Sequence, residues 1–260
     1  MFLTDFRILL DNRMNNAIGV LGGRRMGWLK RLAPVSMIAA TSILMGNSQL
    51  PNNEIYLKTL SELTIVKAHL STDAKENLGN IIILPEKSFD QKEAAAIIER
   101  LNHLPPSLLK KVQSRGIKVK LFTGKLTDNK TAQKFTGIIP RGYTSQKTWD
   151  DVPGIGGGKV VLVKIGASEK GQGHSSVNLE YHELAHSIDY KILKNASKSE
   201  EYRIMWNEEK IRLFPNKPYF LQYAEEYFAE TFAMFYIGGK EKERLLKFAP
   251  KTYHYIASIK

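Results

Sequence analysis

The 260-residue chain is 43% hydrophobic and 25% charged, a balance that excludes wholesale disorder and allows one large domain or two small ones. It has no cysteine, which rules out disulfides, thiolate zinc sites, a cysteine nucleophile and a cysteine-linked lipid anchor. The net charge is +12, of which +4 sits in the first 31 residues, and the +8 left on the remainder favours anionic surfaces such as cell wall or nucleic acid.

Taken in chain order, the first feature is the basic string RRMGWLKR from Arg24, followed by the uncharged run Leu32 to Gly46. A cationic segment ahead of 15 uncharged, mostly apolar or small residues has the pattern of an export signal. The run falls short of the roughly 20 residues of a membrane span. Residues 1–48 are therefore expected to direct secretion, with Met14 and Met26 as alternative starts because the basic segment begins late. No stable membrane span is expected after signal removal. Residues 49–78 are expected to form a leader of unknown role, with helical apolar spacing over Glu54 to Leu70. Asn80 to Leu84 (NIIIL) reads as a buried strand. Gln91 to Leu104 reads as a helix stopped by Pro105 and Pro106, and Pro106 to Gln113 as a second helix ending at Gly116. Ile117 to Phe122 is another strand. A long loop with Pro140, Pro153 and the glycines at 154, 156, 157 and 158 precedes the strand Lys159 to Ile165. From there the pattern is helical: Val177 to Leu193, Lys198 to Leu213, Tyr219 to Tyr236, and a short helix after Pro250. The order predicts one α+β domain over residues 79–260, a small mixed sheet followed by a helical half.

The chemistry sits in His182-Glu183-Leu184-Ala185-His186. Residues four apart share a helix face, so both imidazoles can reach one zinc ion while Glu183 leans over the open position as general base. Leu179, Leu184, Ala185 and Ile188 bury much of this helix, which disfavours two surface histidines. A catalytic site needs a third protein ligand, and Glu225, Glu226 and Glu230 on the next-but-one helix are the candidates. Glu226 and Glu230 share a face. Glu230 lies among Phe228, Ala229, Phe232 and Ala233, so its carboxylate is expected to point inward and need a partner. Tyr223, seven residues before Glu230, is either a phenol reaching the same cavity or an ordinary rim aromatic. Asp189, seven residues after His182, is on spacing alone equally a group that orients a ligand or a surface aspartate.

The blocks HELAHSIDY and EEYFAETFA and the ending APKTYHYIASIK resemble the catalytic domain of anthrax lethal factor, a zincin-like metalloprotease fold. Closer still is the resemblance to the secreted Pro-Pro endopeptidases, carried in order by GKLTDNK (Gly124 to Lys130), KTWDDVPGIGG (Lys147 to Gly157), KGQGH (Lys170 to His174) and NLEYHELAHSID (Asn178 to Asp189). The resemblance implies one zinc ion held by His182, His186 and Glu230, with Glu183 as base and Tyr223 stabilising the oxyanion. It also implies substrate contacts from Arg141, Tyr143 and His174. The loop around Tyr143 is one residue shorter than in that family, and Tyr143 stands in place of a tryptophan. The expected substrate is a proline-rich surface protein cut between two prolines by a monomeric enzyme, rather than a nucleic acid. An extended substrate is expected to add to Lys159–Ile165 as an edge strand. A lethal-factor-like toxin acting on host proteins and a non-catalytic cell-wall binder are the competing readings. The four intact site residues argue against the binder.

Overall fold

The computed structural model describes residues 54–62, 64–140 and 146–260, so the export segment and Arg141 and Tyr143 lie outside the described residues. Strand β1 (Ile55–Tyr56) opens the described chain, followed by α1 (Ile65–Ala68), α2 (Thr72–Leu78) and β2 (Ile82–Leu84). Then come α3 (Gln91–Asn102), α4 (Pro106–Ser114), β3 (Lys118–Phe122), β4 (Gly154–Ile155) and β5 (Val160–Lys164). The helical half comprises α5 (Leu179–Lys191), α6 (Glu200–Leu213), α7 (Pro218–Gln222), α8 (Ala224–Ile237), α9 (Gly239–Phe248) and α10 (Pro250–Ser258).

Local chemistry accounts for most of these boundaries. Asp90 accepts the Lys92 and Glu93 amides at 3.0 Å and starts α3, Asn178 accepts the Tyr181 amide at 3.0 Å and starts α5, and Ser199 does the same for α6. Pro106 occupies the first turn of α4, where no amide hydrogen is needed. The sheet runs β1-β2-β3-β5-β4, with a parallel centre and an antiparallel strand at each edge. Strand alternation sends Val119, Leu121, Val161 and Val163 into the main core, while Ile83, Phe122 and Leu162 are buried on the other face.

Helix α8 is the centre of the helical half. Tyr227, Phe228, Ala229, Phe232, Ala233 and Met234 are all fully buried, because α5, α6, α9 and α10 surround it. Helix α5 packs along α8 on one side and against β4 and β5 on the other. The Arg100 guanidinium on α3 ties α5 down by donating to Glu180, Glu93 and Ser168, and the Tyr181 hydroxyl donates to the Arg100 carbonyl.

Three expectations change. Residues 54–78 are not a leader outside the fold: Leu57, Val66, Leu70, Ala74 and Leu78 belong to the main core, within one compact unit spanning Glu54–Lys260. The strand at Val160–Lys164 is internal, hydrogen-bonded to β3 on one side and β4 on the other, so at this end of the sheet the edge strand is β4. The helix read over Tyr219 to Tyr236 is broken at Tyr223, whose backbone is extended (φ −119°, ψ 107°). Helix α9 escaped the sequence reading because it is polar and buries only Leu245.

Candidate metal centre

Helix α5 brings His182 and His186 to one side, one turn apart. Their Nε2 atoms stand 3.2 Å from each other, and the Glu226 Oε2 lies 3.3 Å from the first and 3.5 Å from the second. Four ligands arranged tetrahedrally at zinc's bond lengths of roughly 2.0–2.2 Å would stand about 3.3–3.6 Å apart. The three observed separations therefore form one face of such a tetrahedron. The second Glu226 oxygen, Oε1, is buried without a hydrogen-bond partner among the described residues. Two imidazoles with one carboxylate is also the composition of open catalytic zinc sites rather than closed structural ones. The residues fit zinc.

The electrostatics agree. Burial opposes ionisation of Glu226, but the two histidines outweigh it and hold its carboxyl well below the usual range. Burial likewise opposes a charge on His182, yet its contacts with Glu226 and Glu230 raise its pKa. A field that favours an added proton at this point favours a cation. Glu183 is pushed upward by burial, partly offset by His182 and His186 and by the Gly156 amide.

The third donor facing the histidines is thus on Glu226, and the expectation for Glu230 is corrected. Glu226 and Glu230 are both 2% exposed, so burial could not tell them apart. Glu230, one turn further along α8, places Oε2 3.2 Å from the other nitrogen of His182, Nδ1, while its Oε1 accepts the Val177 amide at 3.1 Å. That contact fixes the ring's orientation and tautomer. Asp189 is buried rather than a surface aspartate: its carboxylate accepts the Ser197 amide at 3.0 Å and the Ser197 hydroxyl at 2.5 Å, anchoring the turn that follows α5. His174 sits in the Gly171–Gly173 turn with Nε2 on the Ala167 carbonyl at 2.7 Å, and burial lowers its pKa. Tyr223 lies at the break between α7 and α8 with its ring 5.4 Å from that of Tyr219. Once the carboxylate is Glu226, the residue seven positions earlier is Tyr219, so both phenols are candidates for the same role.

In the sequence the glycine run reads only as loop, but the structure gives it a packing role. A Cβ on Gly154 would meet the Glu183 Cγ and the Leu179 Cδ1 at 2.9 Å, and one on Gly156 would lie 1.9 Å from the Glu183 carbonyl oxygen. The backbone at the β4 edge therefore rests directly on α5 at Glu183, an approach only glycine permits.

An HExxH helix packed against the edge strand of a small mixed sheet, with a buried carboxylate from a later helix facing both histidines, is the arrangement of a zincin-like metallopeptidase. The family model described as "Anthrax toxin lethal factor, N- and C-terminal domain" matches residues 68–259. The Pro-Pro endopeptidase of Clostridioides difficile is 36% identical over 218 residues, covering 80% of this chain and 98% of that protein. The Pro-Pro endopeptidase of Paenibacillus alvei is 36% identical over 183 residues, covering 70% of this chain and 84% of that protein. The solved structure of the Paenibacillus alvei Pro-Pro endopeptidase PPEP-2 superposes with a TM-score of 0.67 at 34% identity, covering 73% of this chain and 100% of that one. The chain belongs to the anthrax lethal factor-like family. It is an enzyme, a hydrolase similar to the Pro-Pro endopeptidases.

Proposed function

We propose that the protein is a secreted zinc metalloendopeptidase that cleaves between two prolines in proline-rich proteins of the bacterial surface. The observation that carries the chemistry is the triangle of His182 Nε2, His186 Nε2 and Glu226 Oε2, whose sides match a zinc coordination polyhedron. The similarity to the two Pro-Pro endopeptidases carries the specificity.

Zinc held by His182, His186 and Glu226 would supply Lewis-acid polarisation of the scissile carbonyl and a lowered pKa for water. Glu183 acts as the base, taking a proton from the attacking water and returning it to the departing proline nitrogen. Its raised pKa suits both halves of that exchange. Glu230 keeps the His182 ring in register through Nδ1. The phenol of Tyr219 or Tyr223 donates to the developing oxyanion, a contact strongest in the transition state.

The substrate lies along β4, whose outer edge has no strand partner among the described residues. A Pro-Pro segment brings a stiff polyproline II shape at little entropic cost and few amide hydrogens, so shape and aromatic stacking recognise it, with Tyr143 as the proposed stacking face and Arg141 and His174 as further proposed contacts. Export rests on the basic segment from Arg24 and the uncharged run after it. Its test is the mature amino terminus of protein recovered from culture medium, which should fall near residue 48.

The direct test is a panel of peptides bearing Pro-Pro, Pro-Ala and Ala-Pro at the centre, incubated with the zinc-loaded protein. Cleavage confined to Pro-Pro is expected, with Glu183→Ala lowering the rate about 10²–10⁴-fold at unchanged zinc content. A wild-type enzyme that left every Pro-Pro peptide intact would defeat the specificity.

A further inference from the structure

Ser187 is fully buried and stands one turn beyond Glu183 on α5, so the two side chains share the face turned toward the glycine run. Its hydroxyl accepts the amide hydrogen of Gly157 at 3.0 Å, a buried contact between helix and loop. The preceding residue, Gly156, lies so close to Glu183 that no side chain fits between them. Two residues earlier, Gly154 touches the Glu183 side chain and pairs with Val163 in the sheet. The edge strand and the base are thus built against each other, and loop amides reach α5 side chains at Gly157, which donates to Ser187, and at Gly156, which donates to Glu183.

We propose that Ser187 is a positioning residue for the reaction: by pinning Gly157 it sets the height of the β4 edge above α5, and with it the placement of the Glu183 carboxylate relative to a peptide lying along that edge. Without the hydroxyl, the Gly157 amide is buried with no acceptor, a state the loop relieves by lifting from the helix. Proton transfer is steeply sensitive to such a shift: a misplacement of about 1 Å can cost on the order of 10²-fold in rate. Ground-state binding, spread over the whole cleft, changes less, so the loss falls on kcat.

This inference rests on the peptidase reading above, and its test separates the two. Ser187→Ala and Ser187→Cys are compared with wild type for zinc content, kcat, KM and native-state hydrogen exchange of the Gly157 amide. Ser187→Ala is expected to keep its zinc and a KM within about two-fold, to lose about ten-fold in kcat, and to exchange the Gly157 amide at least about ten-fold faster while α5 stays protected. Ser187→Cys, with a weaker acceptor on a slightly larger side chain, should fall between. A wild-type kcat with unchanged Gly157 exchange overturns the proposal, and so does a kcat that falls only in step with zinc loss or general loss of protection. If the alanine variant fails to fold, the cysteine variant is held to the same criteria. The exchange measurement needs no substrate, so failure to cleave any Pro-Pro peptide would count against the peptidase reading and leave Gly157 to decide the role of Ser187.

Discussion

Glu226 and Glu230 stand one turn apart on α8 and meet different nitrogens of the same imidazole, which gives their removal different consequences. Glu226→Ala takes away a donor from the triangle, and the purified protein is expected to lose its zinc on dialysis. Glu230→Gln keeps all three donors but loosens the ring that carries one of them, so zinc is retained with affinity weakened about 10–100-fold. Zinc titration against a competing chelator distinguishes the two, and an inverted order would return Glu230 to the ligand set. The two phenols, whose rings meet edge to face, are separable in the same way: Tyr219→Phe and Tyr223→Phe are compared for kcat, with the oxyanion donor expected to cost on the order of 10²-fold and the other little. His182, Glu183 and His186 were legible in the sequence because i, i+4 spacing is a local property of any helix. The third donor was not. Apolar neighbours show that a glutamate is buried, but which nitrogen it meets depends on how α8 is rotated against α5, a tertiary fact.

At the scale of elements, the long loop between β3 and β4 is tied by one carboxylate. Asp150 accepts the Thr127 hydroxyl at 2.6 Å, the Gly137 amide at 2.8 Å and the Thr148 hydroxyl at 2.9 Å. Those contacts, the Thr127 hydroxyl foremost, hold its pKa down to about 2. Because the folded value lies below the usual carboxylate pKa of about 3.9, the stabilisation is complete above that pH and is lost as pH falls toward 2. Limited proteolysis between Gly137 and Thr148 should therefore quicken as pH drops from about 4 to about 2 with an acid-stable protease, whereas Asp150→Asn should be open and flat across that window. The pattern of glycines and prolines identified this stretch as loop, but it concealed β4. A two-residue strand has no periodicity to detect, and Gly154 is there because a helix lies beneath it, which no neighbouring residue in the sequence reveals.

For the whole molecule, the expectation that the domain begins near residue 79 met the packing of its opening segment. The helical apolar spacing over Glu54 to Leu70 gave no sign of what it packs on, yet Leu57, Val66, Leu70 and Leu78 are buried, with α1 and α2 packed on α3. At roughly 1.5–3 kcal/mol for each large aliphatic side chain, those four contribute on the order of 6–12 kcal/mol. That is comparable with the whole stability of a typical domain, about 5–15 kcal/mol. A truncated chain starting at Gly79 is therefore expected to show no cooperative thermal transition, while one starting at residue 49 melts as a unit. If the shorter chain melts at the same temperature, the opening segment is dispensable. The α+β class and the order of most elements were readable in advance because strand and helix periods are strong in Ile117 to Phe122 and Val177 to Leu193.

The brevity of β4 has one more consequence. An open sheet border invites neighbouring molecules to stack onto it, and proteins commonly protect such borders by keeping them short. Here the border over the reactive centre is two residues long and the opposite one, β1, is also two. Fibril-like growth finds almost no footing on either side.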